Sequence, residues 1–247
     1  VRLVARVDLI PSYKAHRVAE VVAGGPDVEE VPDPLEIQVP VIRAALAALR
    51  IPVVGVAEHE ADDVIGTLAT IATTPVDVVT GDRDLFQLVD DVRGVRVVYT
   101  ARGMSNLEVV TDDVVLAKYG VHGSQYADFA TMRGDSSDGL PGVAGIGEKS
   151  AAALLQAHGD LAGILAAADT GAGMTAGVRA KLDAARDYLA VAPAVVEVAR
   201  TLPIGLPSGR LSVPDAAMRA EADRLAGEWG LTGPMGRALD AIAATAG

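Results

Sequence analysis

The chain has 247 residues, a formal net charge of −12 and no cysteine. The lack of cysteine excludes disulfide bonds, a thiolate nucleophile and cysteine-ligated zinc. Hydrophobic residues make up 50% of the chain, which is enough for a substantial buried core. Because the sequence contains neither a run of about 18 apolar residues nor a signal-peptide pattern, we expect a cytoplasmic protein that contacts no membrane.

The negative charge argues against a nucleic-acid partner, because proteins that bind the DNA backbone usually present basic surfaces. This objection weakens if many of the acids lie in one metal site, where bound cations offset their charge. The net charge also does not tell where the 21 Lys and Arg residues cluster.

The first half of the chain alternates strand and helix patterns. Apolar residues recur at helical spacing in Leu35–Arg50 and Glu60–Thr73, which predicts two helices. We predict strands at Val1–Ala5, Pro52–Val56, Val76–Thr80, Val95–Tyr99 and Leu107–Val110. Strands that alternate with helices indicate an α/β fold with a mostly parallel sheet flanked by helices. Such sheets place functional sites at the carboxyl ends of their strands.

The pattern changes after Val110, where we place a domain boundary. From Thr111 onward the sequence predicts helices and turns, and Thr111 followed by two acids favours a helix start. We predict later helices at Ala151–His158, Leu161–Ala168, Thr175–Val191, Pro214–Trp229 and Pro234–Ala244. The chain is thus predicted to combine an α/β domain over residues 1–110 with a helical region over residues 111–247.

Three acidic clusters lie at predicted strand or helix ends: His59–Asp63, Gly81–Asp84 and Gly134–Pro141. Considered alone, each has an ordinary structural explanation: helix capping, a strand-to-helix turn or a solvated loop. Considered together they favour Mg²⁺ or Mn²⁺, because hard oxygen ligands without Cys or paired His are typical of these ions. Carboxylates in one pocket need cations to offset their repulsion, and two cations about 4 Å apart promote phosphodiester hydrolysis. The candidate metal ligands are Glu60, Asp62, Asp63, Asp82, Asp84, Asp135 and Asp138.

A glycine-rich run, GVAGIGEKSA over residues 142–151, follows the third acidic cluster. Its glycines let the backbone approach a phosphate, and the helix start that follows offers unpaired N–H groups. It is not a P-loop, since Glu148 separates Gly147 from Lys149. The spacing instead resembles a helix-hairpin-helix, which binds the DNA backbone without reading sequence. The structural alternative is a glycine turn between packed helices. The candidate DNA-binding residues here are Gly145, Gly147, Lys149 and Ser150.

Four motifs occur in the order PSYKAHR, HEADD, TGDRDLFQLV and RGDSSDGLPGVAGIGEKSA. From about Arg6 to at least Ala199 the chain resembles the bacterial 5′–3′ exonuclease and flap endonuclease family, which includes the N-terminal nuclease domain of DNA polymerase I. The resemblance implies a PIN-like sheet followed by a helical region with a helix-three-turn-helix element. It also implies a structure-specific 5′-nuclease in DNA replication and repair, acting on 5′ flaps, nicks or free 5′ ends. We expect a monomer.

The resemblance implies roles for the acids. Glu60 and Asp62 match ligands of a first metal, within a site that holds two or more Mg²⁺ or Mn²⁺ ions. Asp82, Asp84 and Asp135 match a shared or second metal position. The two remaining acids, Asp63 and Asp138, match acids of the bacterial branch.

The resemblance also implies roles in substrate binding. Tyr13, Lys14 and Arg17 match the arch over the active site of this family. There a DNA base stacks on Tyr13, while Lys14 and Arg17 steady the scissile phosphate as catalytic residues. The segment Gly145–Ser150 matches the element that binds duplex DNA, often with a potassium ion.

The sequence departs from the family at its start. The family begins with a strand that carries a metal-binding Asp, and a later strand ends in another. Neither is recognisable here, since Asp8 matches a position just before the PSYK segment. We therefore expect residues to be missing before Val1 and between Ala5 and Arg6.

Two other functions stay open. A chain without the N-terminal aspartates could bind branched DNA and cut nothing. A PIN-type RNase would share the acidic sheet site, but such enzymes usually lack a helical hairpin, so the segment GVAGIGEKS counts against this alternative.

Overall fold

The computed structural model describes residues 3–15, 18–20, 28–29, 33–207 and 209–246. The chain divides into two compact units. The first contains Val1–Val28 and Val56–Gly205, and the second contains Glu29–Gly55 and Leu206–Gly247.

The N-terminal segment forms helix α1 (Leu3–Leu9), followed by the short strands β1 (Val18–Glu20) and β2 (Val28–Glu29). The strand predicted at Val1–Ala5 is therefore wrong. Arg6 and Ile10, four positions apart, are both buried, so this segment buries one helical face. A short apolar run does not by itself distinguish a strand from a helix.

Helix α2 (Asp33–Ala48) confirms the helix predicted at Leu35–Arg50, and it belongs to the second unit. The strand predicted at Pro52–Val56 is wrong, because these residues are irregular. Pro52 has no N–H to donate to a sheet, and Val53 is half exposed.

Helix α3 (Ala61–Ile71) leads into the sheet of the first unit, which consists of β3 (Val76–Thr80), β4 (Val95–Tyr99) and β5 (Glu108–Val110). These elements confirm the predicted helix at Glu60–Thr73 and the three predicted strands. Strand β4 lies between the other two, parallel to β3 and antiparallel to β5. The register places Val78, Val97 and Val110 side by side, and all three are buried.

The rest of the first unit is helical: α4 (Asp112–Tyr119), α5 (Tyr126–Arg133), α6 (Glu148–His158), α7 (Leu161–Thr170), α8 (Ala176–Ala184) and α9 (Arg186–Val196). In the described part after Val110 no strand forms, as predicted. The single helix predicted at Thr175–Val191 is wrong, since α8 and α9 are separate helices. No glycine or proline marks the break at Ala185. Leu182 and Leu189, on either side of it, pack into the same core.

Two cores of the first unit position the loops described below. The larger core surrounds Phe86, which contacts the rings of Tyr99, Tyr119 and Tyr126. The smaller core joins Tyr13 to Leu140, and to Val196 at the end of α9.

The second unit is a helical cluster of α2 with α10 (Ala216–Trp229) and α11 (Thr232–Ala246). These two helices confirm those predicted at Pro214–Trp229 and Pro234–Ala244. Leu49, Met218 and Leu239 lie in its core. In the described part of the chain, no single helix is long and apolar enough to cross a membrane. Helices α6 and α7 reach that length and apolarity only together, as a pair bent by 83°.

Candidate metal and nucleic-acid site

The turn after β3 positions two of the candidate acids. The Asp82 N–H donates to Thr80 Oγ1 at 3.0 Å, and Asp82 Oδ1 accepts from the N–H of Asp84 at 2.8 Å. Asp84 begins a short 3₁₀ helix that ends at Leu88, within which Leu85 and Phe86 are fully buried. The hydrophobic core therefore anchors the turn, with Asp82 exposed and Asp84 half-buried beside it.

The carboxylates of the three sequence clusters lie close enough to repel one another. Burial and the charges of Asp82, Asp138 and Asp135 raise the pKa of Asp84 to about 7. Burial and then the charge of Asp82 raise the pKa of Asp62 to about 6. Such crowding of negative charge is unfavourable unless a cation offsets it.

The loop after α5 positions the third acidic cluster. The backbone groups of Asp135 and Leu140 exchange two hydrogen bonds of 3.0 and 2.8 Å, which close the loop. Gly139 has φ +73, and a Cβ there would lie 1.9 Å from the Ser12 carbonyl oxygen, so only glycine fits. Asp138 is buried, and its backbone carbonyl accepts from the N–H of Lys14 at 2.9 Å.

Two arginines approach Asp135. The Nη2 atoms of Arg133 and Arg83 lie 3.5 and 3.7 Å from Asp135 Oδ2. Partial burial raises the pKa of Asp135, but hydrogen bonds from Ser137 and the two arginine charges lower it below its usual value. This carboxylate is therefore ionised and held by the protein itself.

Asp63 is completely buried at the start of α3. Its Oδ1 accepts from Arg6 Nη2 and from the N–H of Ala199, both at 2.7 Å. The structure thus places this candidate ligand inside an internal ion pair. For its neighbour Asp62, by contrast, the charge of Asp82 helps to raise the pKa.

Glu60 is held by three side chains. Its Oε2 accepts from Arg6 and from the Tyr13 hydroxyl, the latter at 3.0 Å, and its Oε1 accepts from Lys14. Burial raises the pKa of Glu60, but the charges of Lys14 and Arg6 outweigh this effect and lower it. Glu60 is therefore an anion with cationic partners on both oxygens.

The arch residues differ from the prediction in part. Tyr13 is only 5% exposed and packs in the smaller core, so its ring cannot stack on a DNA base in this arrangement. Lys14 lies at the acidic cluster with a left-handed backbone, φ +51. Arg17 lies outside the described residues.

Within the described ranges, no three Asp, Glu, His or Cys side chains are gathered in a group that could hold a metal ion. One cause is that Glu60 and Asp135 turn their oxygens toward cationic or hydroxyl side chains. The donor chemistry nevertheless fits a divalent cation. Burial and then the charge of Asp82 raise the pKa values of Asp62 and Asp84, and a bound cation would offset that charge.

The glycine-rich run forms a turn that leads into α6. Val143 and Ile146 are buried, and the N–H of Val143 donates to the Met132 carbonyl at 2.8 Å. Helix α6 begins after Gly147, which has no side chain to cap the first N–H groups. The structure brings the four candidate DNA-binding residues together as exposed positions at this helix start: Gly145, Gly147, Lys149 and Ser150.

Sequence reasoning missed several cations at these sites. Arg83 stands between Asp82 and Asp84 in the sequence, which is a signal that could have been used. Lys181 donates to the Gly145 carbonyl at 2.9 Å, and Arg6 reaches Asp63 across 57 positions. Contacts between residues so distant in sequence leave no local pattern.

The fold defines a resolvase-like α/β domain joined to a helical SAM-like fold. Two family models match consecutive parts of the chain: "5′–3′ exonuclease, N-terminal resolvase-like domain" over residues 2–120, and "5′–3′ exonuclease, C-terminal SAM fold" over residues 121–218. The chain belongs to the 5′–3′ exonuclease family.

Similar sequences agree with this assignment, and a solved structure shares the fold. The chain is 57% identical over 241 residues to a 5′–3′ exonuclease of Streptomyces coelicolor, covering 97% of this chain and 79% of the relative. It is 48% identical over 247 residues to a 5′–3′ exonuclease of Mycobacterium tuberculosis, covering 96% and 77%. The fold is similar to a bacteriophage T5 flap endonuclease solved as a pseudo-enzyme-product complex with DNA and metal ions. In that comparison the TM-score is 0.59 at 16% identity, covering 97% of this chain and 80% of the other.

Proposed function

We propose that this chain is a divalent-metal-dependent 5′-nuclease that hydrolyses DNA at 5′ flaps, nicks and free 5′ ends during replication and repair. The observation that carries the proposal is the crowding of acids after β3, where the charge of Asp82 acts both on Asp84 of its own turn and on Asp62 at the start of α3. The relatives named 5′–3′ exonuclease support the activity. The T5 complex with DNA and metal ions supports the cofactor and the substrate class. A monomer in the cytoplasm is part of the proposal.

We propose Asp62, Asp82 and Asp84 as the main ligands of two or more Mg²⁺ or Mn²⁺ ions, with Asp135 and Asp138 beside them. The bound ions supply activation of a water molecule and charge to stabilise the leaving oxygen. The chain itself contributes the fixed geometry, because the Asp82–Asp84 turn is anchored in the core.

Glu60 and Asp63 have different places in this proposal. Glu60 becomes a ligand when one oxygen is released by its cationic partners. Asp63 acts through its ion pair with Arg6, since its Oδ1 already accepts from Arg6 and from the Ala199 N–H, and its Oδ2 accepts from the Glu60 N–H.

Lys14 and Arg17 are proposed to steady the scissile phosphate. Burial lowers the pKa of Lys14, but Tyr13 and Glu60 outweigh this effect and raise it, so Lys14 is a cation at neutral pH. A cation beside a cluster of acids can attract a phosphate to a site that would otherwise repel it. Tyr13 takes part through its hydroxyl on Glu60, and stacking on a base requires its ring to leave the core.

The turn before α6 is proposed to bind the backbone of duplex DNA. Its uncapped N–H groups and the exposed Lys149 and Ser150 suit phosphate oxygens. The family resemblance implies a potassium ion at this turn, where the Gly145 carbonyl accepts from the Lys181 ammonium at 2.9 Å.

Cleavage of a 5′-labelled flap substrate tests the proposal, with nicked and blunt duplexes compared in parallel. We expect cutting near the junction with Mg²⁺ or Mn²⁺, none in EDTA, and a loss of at least about a hundredfold in Asp82→Ala. The matched control is Asp77→Ala, which removes an exposed acid of β3 that pairs with Arg96. Binding without cutting would instead favour a branched-DNA-binding module, and cleavage of RNA alone would favour the RNase alternative.

A further inference from the structure

Arg6 is a charged side chain buried beside the acidic cluster. Its side chain is 2% exposed. Its Nη2 donates to Asp63 Oδ1 at 2.7 Å and to the Glu197 carbonyl at 3.1 Å, and its Nη1 donates to Glu60 Oε2. A buried guanidinium is costly unless its donors are paired; here Nη1 and Nη2 are paired, whereas the buried Nε has no partner. Arg6 therefore joins α1, the start of α3 and the segment after α9 in one fixed arrangement.

The two oxygens of Glu60 are held differently. Oε2 accepts from both Arg6 and Tyr13, whereas Oε1 accepts from Lys14. Arg6 is a planar group fixed by several acceptors at once, while Lys14 is a point charge on a flexible stem. Lys14 is also more accessible, with its side chain 11% exposed. Breaking the Oε1 contact therefore disturbs less of the structure than breaking the Oε2 contact.

We propose that Arg6 is a positioning residue for the metal site. It fixes Glu60 through Oε2, so that Oε1, which Lys14 holds, is the oxygen that exchanges to a divalent cation. Asp63 and the Glu197 carbonyl orient Arg6 and thereby contribute to the site without binding the ion. This inference rests on the proposed function, because it assumes that Glu60 belongs to a metal site.

A suitable variant must keep the charge at position 6. Removing a positive charge beside carboxylates would by itself raise their affinity for cations, which would hide a loss of geometry. Arg6→Lys keeps the charge, but an ammonium cannot reproduce the planar contacts to Glu60, Asp63 and the Glu197 carbonyl together. Arg96→Lys is the matched control, because Arg96 pairs with the exposed Asp77 on the sheet.

The experiment measures Mn²⁺ binding to the full chain without DNA, using electron paramagnetic resonance to count free Mn²⁺. We expect Arg6→Lys to bind Mn²⁺ at least about tenfold more weakly than wild type, as is typical when a partner of a metal ligand is altered. Arg96→Lys should bind as wild type does. Circular dichroism establishes that each variant is folded.

Lys14→Met provides a second variant if Arg6→Lys does not fold. Removing the side chain that competes for Oε1 should strengthen Mn²⁺ binding several-fold, and by more than Arg83→Met, which removes a charge beside Asp135 without touching Glu60. The two variants thus move the affinity in opposite directions, which a general loss of stability does not produce.

Asp82→Ala separates this inference from the proposed function. If wild type binds no Mn²⁺, or Asp82→Ala binds it equally well, the metal site itself is wrong and the role of Arg6 falls with it. If Asp82→Ala loses Mn²⁺ while folded Arg6→Lys binds as wild type does, Arg6 serves the fold alone and only the inference is overturned. Weaker binding by Lys14→Met would also overturn it, because Oε1 would not be the exchanging oxygen.

Discussion

Asp84 and Asp62 are carboxylates whose pKa values are raised well above the usual range. Their pKa values of about 7 and about 6 arise from burial and from neighbouring carboxylates, of which Asp82 is common to both. A divalent cation has to displace the protons of these carboxylates before it can bind. In the proposed metal site, ion binding is therefore coupled to pH through Asp62 and Asp84.

The first prediction concerns this coupling. We expect the apparent Mn²⁺ affinity to fall as the pH is lowered from about 8 to about 5.5, with protons released on binding. Titration calorimetry in buffers of different ionisation enthalpy measures both quantities, and Asp84→Asn should reduce the proton release. An affinity that is independent of pH over this range would show that neither acid takes part.

The same acids predict how metal affects stability. Their folded-state pKa values lie above the ordinary value of 3.8. Their contribution to the free energy of unfolding is therefore fully present below pH 3.8. It is lost as the pH rises through about 6 to 7, where the folded protein must ionise crowded carboxylates. Bound Mn²⁺ stabilises the ionised form, so it should raise the melting temperature more at about pH 8 than at about pH 5.5. Thermal unfolding with and without Mn²⁺ checks this, and an equal shift at both pH values would contradict it.

At this scale the sequence indicates the acids but not their partners. Asp82 and Asp84 could be located because they directly follow a strand, and strand ends are where α/β folds place sites. The ion pair of Glu60 with Lys14 joins residues 46 positions apart, and Tyr13 could not be foreseen as a buried side chain. Such contacts depend on how α1 packs, which the short apolar run did not reveal.

The loop between α5 and α6 connects the acidic cluster to the turn before α6. Close contacts with backbone atoms require its glycines. Gly142 has φ +65, and a Cβ there would lie 2.6 Å from the Arg133 carbonyl and from the Gly134 nitrogen. These neighbours are backbone atoms, which cannot move aside without shifting both helices.

The second prediction compares two glycines. Gly142→Ala should lower the free energy of unfolding by at least about 2 kcal/mol, because strain and a backbone clash add together. Gly177→Ala, inside α8 with open space around it, should instead raise it by about 0.5–1 kcal/mol. Urea unfolding followed by circular dichroism measures both. A Gly142→Ala variant as stable as wild type would mean that the loop is not held as described.

Elements with a long, regular pattern could be predicted, and those without one could not. Apolar residues at helical spacing identified α2 and α3, and short apolar segments bounded by turn residues identified β3 and β4. The failures have physical causes. Pro52 has no N–H to donate to a sheet, and the break at Ala185 has no glycine or proline to mark it. The domain boundary placed near Val110 stays a prediction.

For the whole molecule, the net charge of −12 requires that DNA binding come from local clusters of cations. Contacts to the DNA backbone release counterions, so binding should weaken steeply as salt is raised. Lys149, exposed at the start of α6, is available for such a contact.

The third prediction tests that contact. Lys149→Met should weaken binding to flap DNA about equally across sequences and reduce the slope of log K against log salt by about one. Lys118→Met is the matched control. It removes the same charge from a lysine whose Nζ lies 3.5 Å from Glu108 Oε2. Fluorescence anisotropy in EDTA measures binding without cleavage. An unchanged slope for Lys149→Met would remove this residue from the DNA interface.

The central claim is that the acids after β3 form the metal site of a nuclease, and the most direct test is to locate bound Mn²⁺. Crystals of the full chain soaked in Mn²⁺ give anomalous diffraction that marks each ion. We predict Mn²⁺ within about 2–2.5 Å of carboxylate oxygens of Asp82 and Asp84, with a carboxylate of Asp62 or Glu60 beside it. Soaked crystals with no Mn²⁺ among these acids, or with Mn²⁺ bound only elsewhere, would contradict the claim.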